Sequence, residues 1–512
     1  MIDPFTLALI LIVALTLMGA SVGLAMIAGS FVYLIFKGFD PSIASETLLQ
    51  GLFNNYTLLA IPLFILAADI MNIGSLADRL LRFAQALVGR FRGGLGHVNV
   101  VSSLIFSGMS GSAVADAVGM GKIIINLMTR DGKYSKSYAA AITAATATVG
   151  PIIPPSIPRV LYAIVSDQSV GFLFAAGMLP GLLMALMMGV MNYIMARRHD
   201  FPVDEVVPMR DLPGITWKAL PALMLPVILL GGIYGGIMTP TEAAAVAAFY
   251  ALLVSALFYR SVSFKDFYQA LLGSARSTAS VGVLVAGAIT FNYVITRENL
   301  PVSISELLGQ YELSRFWFLI VINLLFLALG MVLEGGAILL IIVPILIPSV
   351  RAMGIDLVHF GVIVVVNAMI GLITPPYGLL LFITANITQQ PVGRIIRDVW
   401  PFIIALLVAL MVVLSLIIYL IMRSIESRMA RLELAATRIA SGRLETRVKV
   451  ESGDFLGRLG MAFNGMANQV QSLLRGQQEM IRAVSHELRT PVARIRFAVQ
   501  MVEDMTDQPA IQ

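Results

Sequence analysis

The sequence GPIIPP at residues 150–155 and the sequence GLITPP at residues 371–376 decide the fold, because each interrupts a hydrophobic stretch with a double proline. A double proline removes two backbone donors and does not fit inside a regular helix. Within a bilayer, a broken helix is tolerated only where it is buried in protein or lines a cavity. Two matched breaks in the two halves of one chain therefore indicate a repeat-built transporter whose site lies at the breaks.

The composition places most of the chain in a membrane. Of the 512 residues, 58% are hydrophobic and only 13% are charged, whereas soluble domains carry about 25% charged residues. A spanning helix needs about 20 apolar residues, so the part before Ile421 has room for roughly a dozen membrane segments, half-helices included. The predicted fold class is all-α: a polytopic membrane protein with two repeats of a hairpin and a broken helix, followed by a helical tail.

The residue types exclude several kinds of site. The chain has no cysteine, hence no disulfide framework and no thiolate chemistry. Its four histidines form no cluster with metal-ligand spacing, and we expect neither structural zinc nor an organic cofactor. The net charge of +5 comes from short basic regions, such as residues 79–92, and from the tail. The positive-inside rule makes these regions cytoplasmic, so the basic tail is interpreted as a topology signal and not as a nucleic-acid-binding patch.

The two halves of the membrane part show the same order of features. In the first half, a Gly/Ser-rich interruption at residues 107–112 precedes a connector and the span broken at Pro154-Pro155. In the second half, a Gly-containing interruption at residues 330–336 precedes a connector and the span broken at Pro375-Pro376. The order in both is hairpin, connector and broken span, and the orientation of the two repeats relative to each other stays open.

The breaks carry the predicted chemistry. Unwound backbone leaves carbonyl oxygens without helical partners, and a desolvated sodium ion is a good partner for them. Helix N-termini at the hairpin tips suit an anionic substrate. Small residues are also common where membrane helices pack closely, and for either cluster alone this alternative interpretation is open. The pairing of each cluster with a double proline favours a binding site. The residues predicted to hold sodium, mostly through backbone atoms, are Ser107, Gly108, Ser110, Gly150, Pro154, Gly335, Gly336, Gly371, Thr374 and Pro375.

The substrate is predicted to meet Ser112, Pro155, Arg159 and Pro376. Two interpretations of Arg159 are open: its guanidinium pairs with a substrate carboxylate, or it snorkels to a lipid headgroup. Ionisable residues at membrane depth are functional candidates by default. The acidic residues within or beside apolar segments are Asp69, Asp116, Glu242 and Glu334, and for Asp69 and Glu242 a capping or interfacial role is equally open.

With these motifs in view, residues 1–420 resemble the large membrane subunit of a TRAP (tripartite ATP-independent periplasmic) transporter. The resemblance is carried in order by SGMSGSAVAD at 107–116, GPIIPPSIP at 150–158, YGGIMTPTEAAA at 234–245 and GLITPPYG at 371–378. It implies an elevator-type carrier in the bacterial inner membrane that moves an organic anion, a carboxylate or dicarboxylate, with sodium as the coupling ion. It also implies a small membrane subunit and a periplasmic substrate-binding protein as partners, within membrane lipid. Arg159 departs from the family pattern, which has an apolar residue after the proline.

The composition changes near Ile421, where the last span continues into a charged segment without Pro or Gly. This continuity predicts one helix that crosses the membrane and enters the cytoplasm. The pattern then predicts an end at Gly442, an extended connector over 443–453 and a second helix from Asp454. Two short amphipathic helices bury their apolar faces most readily by self-dimerisation in a parallel coiled coil.

The sequence SHELRTP at residues 485–491 places His486 beside Glu487 on a predicted outward face. An imidazole held and deprotonated by a carboxylate can attack phosphorus. Residues 421–475 resemble a HAMP signalling module, and residues 476–512 resemble part of the phosphoacceptor region of a sensor histidine kinase. The resemblance implies that His486 is phosphorylated, that Glu487 is its general base and that Thr490 is phosphatase-associated. No ATP-binding domain follows His486 in the sequence, so we expect no kinase activity of its own.

Three functions remain open at this point. The chain is a sodium-coupled organic-anion transporter subunit with a signalling-type tail, a truncated membrane sensor histidine kinase with a transporter-like input domain, or a non-functional junction of the two. The transporter hypothesis rests on four motifs and covers residues 1–420, whereas the kinase hypothesis rests on one motif. We therefore predict transport and leave the role of the tail open.

Overall fold

The structure is a computed structural model that describes residues 3–53, 55–73, 76–130, 132–201, 203, 207–310, 314–440, 443, 445–449 and 455–506. Within some helices it describes the backbone only, residues 481–490 among them. The described residues form helices and loops without any β-strand, which confirms the all-α fold class. The chain divides into two units, Met1–Leu414 and Ser415–Gln512.

Unit one begins with eleven helices that lead through the first repeat. They are α1 (Pro4–Leu17), α2 (Val22–Phe36), α3 (Ser42–Phe53), α4 (Ala60–Ile73), α5 (Leu76–Val88), α6 (Gly94–Ser110), α7 (Ala113–Val118), α8 (Met120–Thr129), α9 (Lys136–Ala147), α10 (Ile157–Ser166) and α11 (Val170–Arg198). A 3-10 turn, Tyr56–Leu59, leads into α4.

The remaining helices form the second repeat and the tail. They are α12 (Leu212–Tyr234), α13 (Pro240–Leu253), α14 (Phe264–Arg297), α15 (Leu300–Gln310), α16 (Arg315–Gly330), α17 (Gly335–Ala352), α18 (Leu357–Gly371), α19 (Leu379–Thr388), α20 (Val392–Ala440) and α21 (Phe455–Thr506). A 3-10 turn, Met209–Asp211, precedes α12, and a π-helical turn, Val254–Phe258, follows α13.

Seven helical segments of the described chain are long and apolar enough to cross a membrane. They are Tyr56–Ile73, Val170–Arg198, Leu212–Tyr234, Pro240–Phe258, Phe264–Arg297, Gly335–Ala352 and Val392–Val413, and six shorter apolar helices accompany them. This agrees with a polytopic protein in which several segments are half-helices. The apolar run at residues 5–36 is two helices, because Gly19 adopts a left-handed φ of 93° and Ser21 caps α2.

Both double prolines lie between two helices, as the sequence predicts. The first break (residues 148–156) separates α9 from α10, and the second break (residues 372–378) separates α18 from α19. Both Pro-Pro peptide bonds are cis. Each double proline follows a hairpin whose first arm ends at a tip: the first hairpin tip is residues 111–112 and the second hairpin tip is residues 331–334.

The two repeats exchange half-helices. Helix α10 of the first repeat packs against α17 of the second, and α19 of the second repeat packs against α7 of the first. The exchange is reciprocal: the half of each broken helix that follows the double proline packs against the hairpin of the other repeat. The two breaks therefore belong to one packed assembly.

A polar contact joins the ends of α2 and α14. The Tyr33 hydroxyl donates to a Glu298 carboxylate oxygen at 2.5 Å, and the Lys37 ammonium lies 2.9 Å from the same oxygen. These hydrogen bonds stabilise the ionised form, with that from Tyr33 the larger cause, and lower the pKa of Glu298 below its usual value.

Unit two contains the tail. Helix α20 is continuous from Val392 to Ala440, which confirms the predicted helix across residue 421. Helix α21 is also continuous, so the predicted HAMP-like and phosphoacceptor segments share one helix across residue 475. The connector docks on this helix: Asn464 exchanges two 2.9 Å hydrogen bonds with the backbone of Val448, and the Arg447 guanidinium donates to Asn468 at 2.6 Å.

Candidate functional site

In the first repeat, the hairpin tip and the break are joined through backbone atoms. The Ile157 amide donates to the Gly111 carbonyl oxygen at 3.3 Å. Gly111 has a left-handed φ of 59°, and a Cβ there would lie 2.6 Å from the Pro155 carbonyl oxygen, so a glycine is required. A Cβ on Gly150 would lie 3.5 Å from the Ser112 carbonyl oxygen. The predicted residues Gly150, Pro155 and Ser112 are thus brought together.

The second repeat contains the same bridge at equivalent positions. The Gly378 amide donates to the Met331 carbonyl oxygen at 3.2 Å. In both repeats the donor lies two residues after the double proline, and the acceptor is the first residue after the hairpin's first arm. A Cβ on Gly371 would lie 2.5 Å from the Gly330 Cα atom. The ends of α16 and α18 therefore lie in direct backbone contact. The break-and-hairpin pairing predicted from sequence is therefore present twice.

Four helix N-termini begin at these breaks and tips. Ser112 caps α7 by accepting from the Ala115 amide at 3.4 Å, and Ser156 caps α10 by accepting from the Arg159 amide at 3.3 Å. Helix α17 begins after Glu334, and α19 begins after Gly378. Helix N-termini carry partial positive charge and free amides, an arrangement suited to a carboxylate.

Oxygen atoms suited to a cation line both breaks. The buried Ser110 hydroxyl has no hydrogen-bond partner among the described residues. In that part of the chain, no backbone amide donates to the carbonyl oxygens of Gly150 and Pro154 in the first repeat, or of Gly330 and Thr374 in the second. The described chain contains no cluster of three acidic or histidine ligands. A cation at the breaks would therefore be held by carbonyl and hydroxyl oxygens, as the chemistry of sodium allows.

The hydroxyls of Ser107 and Thr374, two further residues predicted to hold sodium, donate to backbone carbonyl oxygens a few residues earlier in the chain. Ser107 donates to the Leu104 carbonyl at 2.6 Å, and Thr374 donates to the Ile370 carbonyl at 2.7 Å. Each keeps acceptor lone pairs for a cation. Gly108 lies beside Pro154: a Cβ on it would be 3.8 Å from the Pro154 carbonyl oxygen.

The two breaks differ in exposure. Every residue of the first break is buried, whereas in the second break Pro375 is half-buried and Pro376 is exposed together with Tyr377. The second break is thus the more accessible to a solute.

Two predicted sodium residues lie away from the oxygen-lined contacts. Gly336 faces Leu284 of α14 and Leu161 of α10, to which a Cβ would approach within 3.2 and 3.4 Å. Gly335 faces the Met369 side chain. Both glycines serve close packing in this structure, because their nearest neighbours outside the helix are apolar side chains.

Arg159 is wholly buried, and its guanidinium occupies the space that a side chain at Gly177 of α11 would need. None of its three side-chain nitrogens has a hydrogen-bond partner among the described residues. The snorkelling interpretation is wrong, because the side chain does not reach the surface. An unpaired guanidinium in an apolar interior is costly unless it meets an anion.

The acidic residues separate into different roles. Glu242 forms a capping box with Thr239, whose amide donates to it at 2.7 Å, which confirms the capping interpretation. Asp69 faces Gly273 of α14. Asp116 is buried in α7, where the Ser103 hydroxyl faces its carboxylate.

Buried amides support each hairpin in a way that sequence reasoning missed. In the first repeat, the Asn99 side chain on α6 donates to Thr143 at 2.7 Å and accepts from Thr146 at 3.0 Å, both on α9. In the second repeat, Asn367 on α18 donates to Asn323 on α16 at 2.5 Å. Asparagine within an apolar span is the signal that could have revealed these contacts.

The predicted phosphoacceptor residues lie in α21, but the side chains of His486, Glu487 and Thr490 are outside the described part of the structure.

Comparison with family models matches three parts of the chain. Residues 9–419 match the DctM component of the tripartite ATP-independent periplasmic transporter, residues 420–472 match the HAMP domain, and residues 476–512 match the His Kinase A phospho-acceptor domain. These matches follow the order of the three resemblances found in the sequence.

Curated relatives cover the same part of the chain. The sialic acid TRAP transporter large permease protein SiaM of Vibrio cholerae is 39% identical over 391 residues, 76% of this chain and 91% of that protein. The C4-dicarboxylate large permease protein DctM of Pseudomonas aeruginosa is 44% identical over 354 residues, 69% and 83% of the two chains. The 2,3-diketo-L-gulonate large permease protein YiaN of Escherichia coli is 36% identical over 405 residues, 78% and 95%.

Solved structures share the fold. The Alcanivorax borkumensis YdaH transporter aligns with a TM-score of 0.53 at 18% identity, covering 73% of this chain and 88% of its own. The matched repeats, the bridged breaks and the family match over residues 9–419 agree. The chain belongs to the DctM family, the large permease components of tripartite ATP-independent periplasmic transporters, and is a multi-pass protein of the bacterial inner membrane.

Proposed function

We propose that this chain carries a small organic anion, a carboxylate or dicarboxylate, across the inner membrane with sodium as the coupling ion. It acts as the large subunit, together with a small membrane subunit and a periplasmic substrate-binding protein. The names of the relatives support the substrate class, since sialic acid, C4-dicarboxylates and 2,3-diketo-L-gulonate all carry a carboxylate. The basic residues of the tail support a cytoplasmic location for it.

The single observation that carries the proposal is the matched pair of bridges, from Ile157 to Gly111 and from Gly378 to Met331. Each bridge fixes a hairpin tip against a break, so that carbonyl oxygens and helix N-termini are held at one place. Sodium binds the oxygens and neutralises their partial negative charge, while the N-termini bind the carboxylate. The hairpins and broken helices move together as one body in an elevator-type cycle.

Arg159 supplies a further positive charge to this arrangement. Because its buried guanidinium has no partner among the described residues, a substrate carboxylate that reaches it gains a charge-assisted hydrogen bond with little competition from water. Ser112, Pro155 and Pro376 line the path at the two breaks.

Sodium-driven uptake into proteoliposomes that contain all three partners tests the proposal. Ser112→Leu removes the cap of α7 beside the first break and should abolish uptake. Ser21→Leu is the matched control, since Ser21 caps α2 through a bond of the same 3.4 Å length and belongs to neither a break nor a hairpin tip. Pro375→Ala should also abolish uptake. Full uptake by both site variants, or equal loss in the control, would refute the site.

The tail is tested separately. We infer that His486 accepts phosphate from another protein, because residues 476–512 match a phospho-acceptor domain. Purified full-length protein incubated with radiolabelled ATP should remain unlabelled, and label on His486 would favour the sensor-kinase alternative. Uptake measured with and without residues 423–512 shows whether the tail regulates transport.

A further inference from the structure

An apolar groove of about 690 Å³ lies on unit one, and no residue of either break lines it. Its floor is the middle of α6, with Val100, Val101 and Leu104, and one wall is formed by Leu182, Leu186 and Val190 of α11. These three α11 residues are four positions apart and form one half-exposed stripe. The opposite wall is the end of α5. The groove is therefore an open apolar channel along a membrane-spanning helix.

The groove has one basic end. The Arg197 guanidinium lies 4.9 Å from the centre of the Tyr193 ring, and the Arg90 guanidinium lies 5.4 Å from the centre of the Phe91 ring. Both rings line the groove, and both arginines are exposed. Asp200, a described acidic residue near this end, pairs with Arg92 at 3.2 Å. By the positive-inside rule this end faces the cytoplasmic leaflet.

The length of the groove matches one leaflet. From Leu182 to Tyr193, α11 rises by about 17 Å at about 1.5 Å per residue. The hydrocarbon core of a bilayer is about 30 Å thick, so the groove extends from the headgroup level to about the midplane. The His97 ring lies near the basic end, and its Nε2 atom is buried without a hydrogen-bond partner among the described residues. Gly189 leaves space opposite it, since a Cβ there would meet only His97, at 4.0 Å.

We propose that this groove binds one phospholipid with an anionic headgroup from the cytoplasmic leaflet. An acyl chain lies along α6 and α11, and the phosphate lies between Arg90 and Arg197. Apolar walls, a basic mouth and a one-leaflet length fit this occupant, whereas the helix of a partner subunit would not require the two arginines.

The lipid also contacts the transport machinery through α6. Leu104 in the floor of the groove accepts the hydrogen bond of Ser107, one turn before the first hairpin tip. Because α6 packs against both α5 and α11, a lipid wedged between the walls supports the arm that carries this tip. Transport in vesicles should therefore depend on anionic lipid. This consequence rests on the proposed transport function, whereas lipid binding itself does not.

Native mass spectrometry of the complex purified from bacterial membranes tests the binding directly. The wild-type complex should retain one anionic phospholipid. Gly189→Leu should lose it, because the new side chain enters the groove, where its Cβ has ordinary contact distance to His97. Gly231→Leu is the matched control, a helical glycine with open space outside the groove. Arg90→Gln and Arg197→Gln should each weaken binding of phosphatidylglycerol about fivefold, the effect expected of one basic residue near an anionic surface.

A second test fills the groove only after the protein has folded, so it does not depend on whether the Gly189→Leu variant folds. Since the chain has no cysteine, Leu186→Cys can be labelled with a bulky maleimide after purification, and the label should displace the lipid. Lipid retained at wild-type level in both Gly189→Leu and the labelled variant would overturn the proposal. Equal retention of phosphatidylethanolamine and phosphatidylglycerol, or a crosslink from this cysteine to the small subunit, would overturn it as well.

Discussion

Gly371→Ala should weaken sodium binding without unfolding the protein. A Cβ at this position would lie 2.5 Å from the Gly330 Cα atom and 2.6 Å from its carbonyl carbon. Carbon atoms in ordinary contact are about 3.5–4.0 Å apart, so the second hairpin must move away from the break by about 1 Å. All of these atoms are backbone, so no side-chain rotation can relieve the contact.

The displacement has a calculable cost. Overpacking of this kind costs about 1–3 kcal/mol. The Gly378–Met331 bridge, at 3.2 Å, would lengthen beyond hydrogen-bonding distance, and its loss costs about 1 kcal/mol. The bound geometry should therefore be destabilised by about 2–4 kcal/mol in total. Since about 1.4 kcal/mol corresponds to a factor of ten, the sodium concentration for half-maximal uptake should rise by more than about tenfold.

The assay is uptake at a series of sodium concentrations, with the thermal midpoint as a measure of folding. Gly330→Ala should have a smaller effect, because its Cβ would lie 3.0 Å from the Gly371 Cα atom. Gly282→Ala in α14 is the control, since nothing lies within 4 Å of that Cβ. A sodium dependence unchanged in Gly371→Ala, or shifted equally by Gly282→Ala, would refute the reasoning.

Three further predictions follow from contacts in unit one. Arg159→Met should raise the thermal midpoint, because a buried cation that has no hydrogen-bond partner in the described chain is replaced by apolar packing, and it should lower uptake. Unchanged uptake would remove Arg159 from the substrate site. Asn323→Ala and Asn367→Ala should each cost about 1–3 kcal/mol of stability, and a double-mutant cycle should show coupling; strictly additive losses would contradict their pairing. The pKa of Glu298 is lowered in the folded state, so its stabilising effect is fully present above the pKa of the unfolded chain and is lost as the pH falls through the lower pKa of the folded state. Thermal midpoints of wild type and Glu298→Gln should therefore differ at pH 7 and converge as the pH falls through the pKa of Glu298 in the folded state, and a constant difference would argue against the ionised contact.

The sequence was sufficient to locate both breaks and the hairpins, because proline and clustered small residues act on the local backbone. It also predicted the uninterrupted helix through residue 421, where no helix-breaking residue occurs. These features depend on covalent geometry and on the requirement that backbone groups in lipid be satisfied. They need no knowledge of which segments meet in space.

The partners across the fold were not predictable in the same way. Met331 and Gly378 take part through backbone atoms, so their side chains carry no signal of the bridge. Gly336 resembles a tip residue in sequence, yet its neighbours come from α10 and α14, which lie far away in the chain. The Arg159 guanidinium is buried in space that the missing side chain of Gly177 leaves free. Nothing in the sequence around Gly177 indicates this contact.

The exchange of half-helices between repeats has a consequence for biogenesis. Helix α10 leaves the ribosome long before α17, its packing partner, has been synthesised. During that interval, the unwound chain at Pro154-Pro155 sits in the bilayer without the neighbour that completes its enclosure, and lipid offers its polar groups no substitute. We therefore expect the insertion machinery or the small subunit to cover the unwound segment of the first repeat until the second repeat has been inserted.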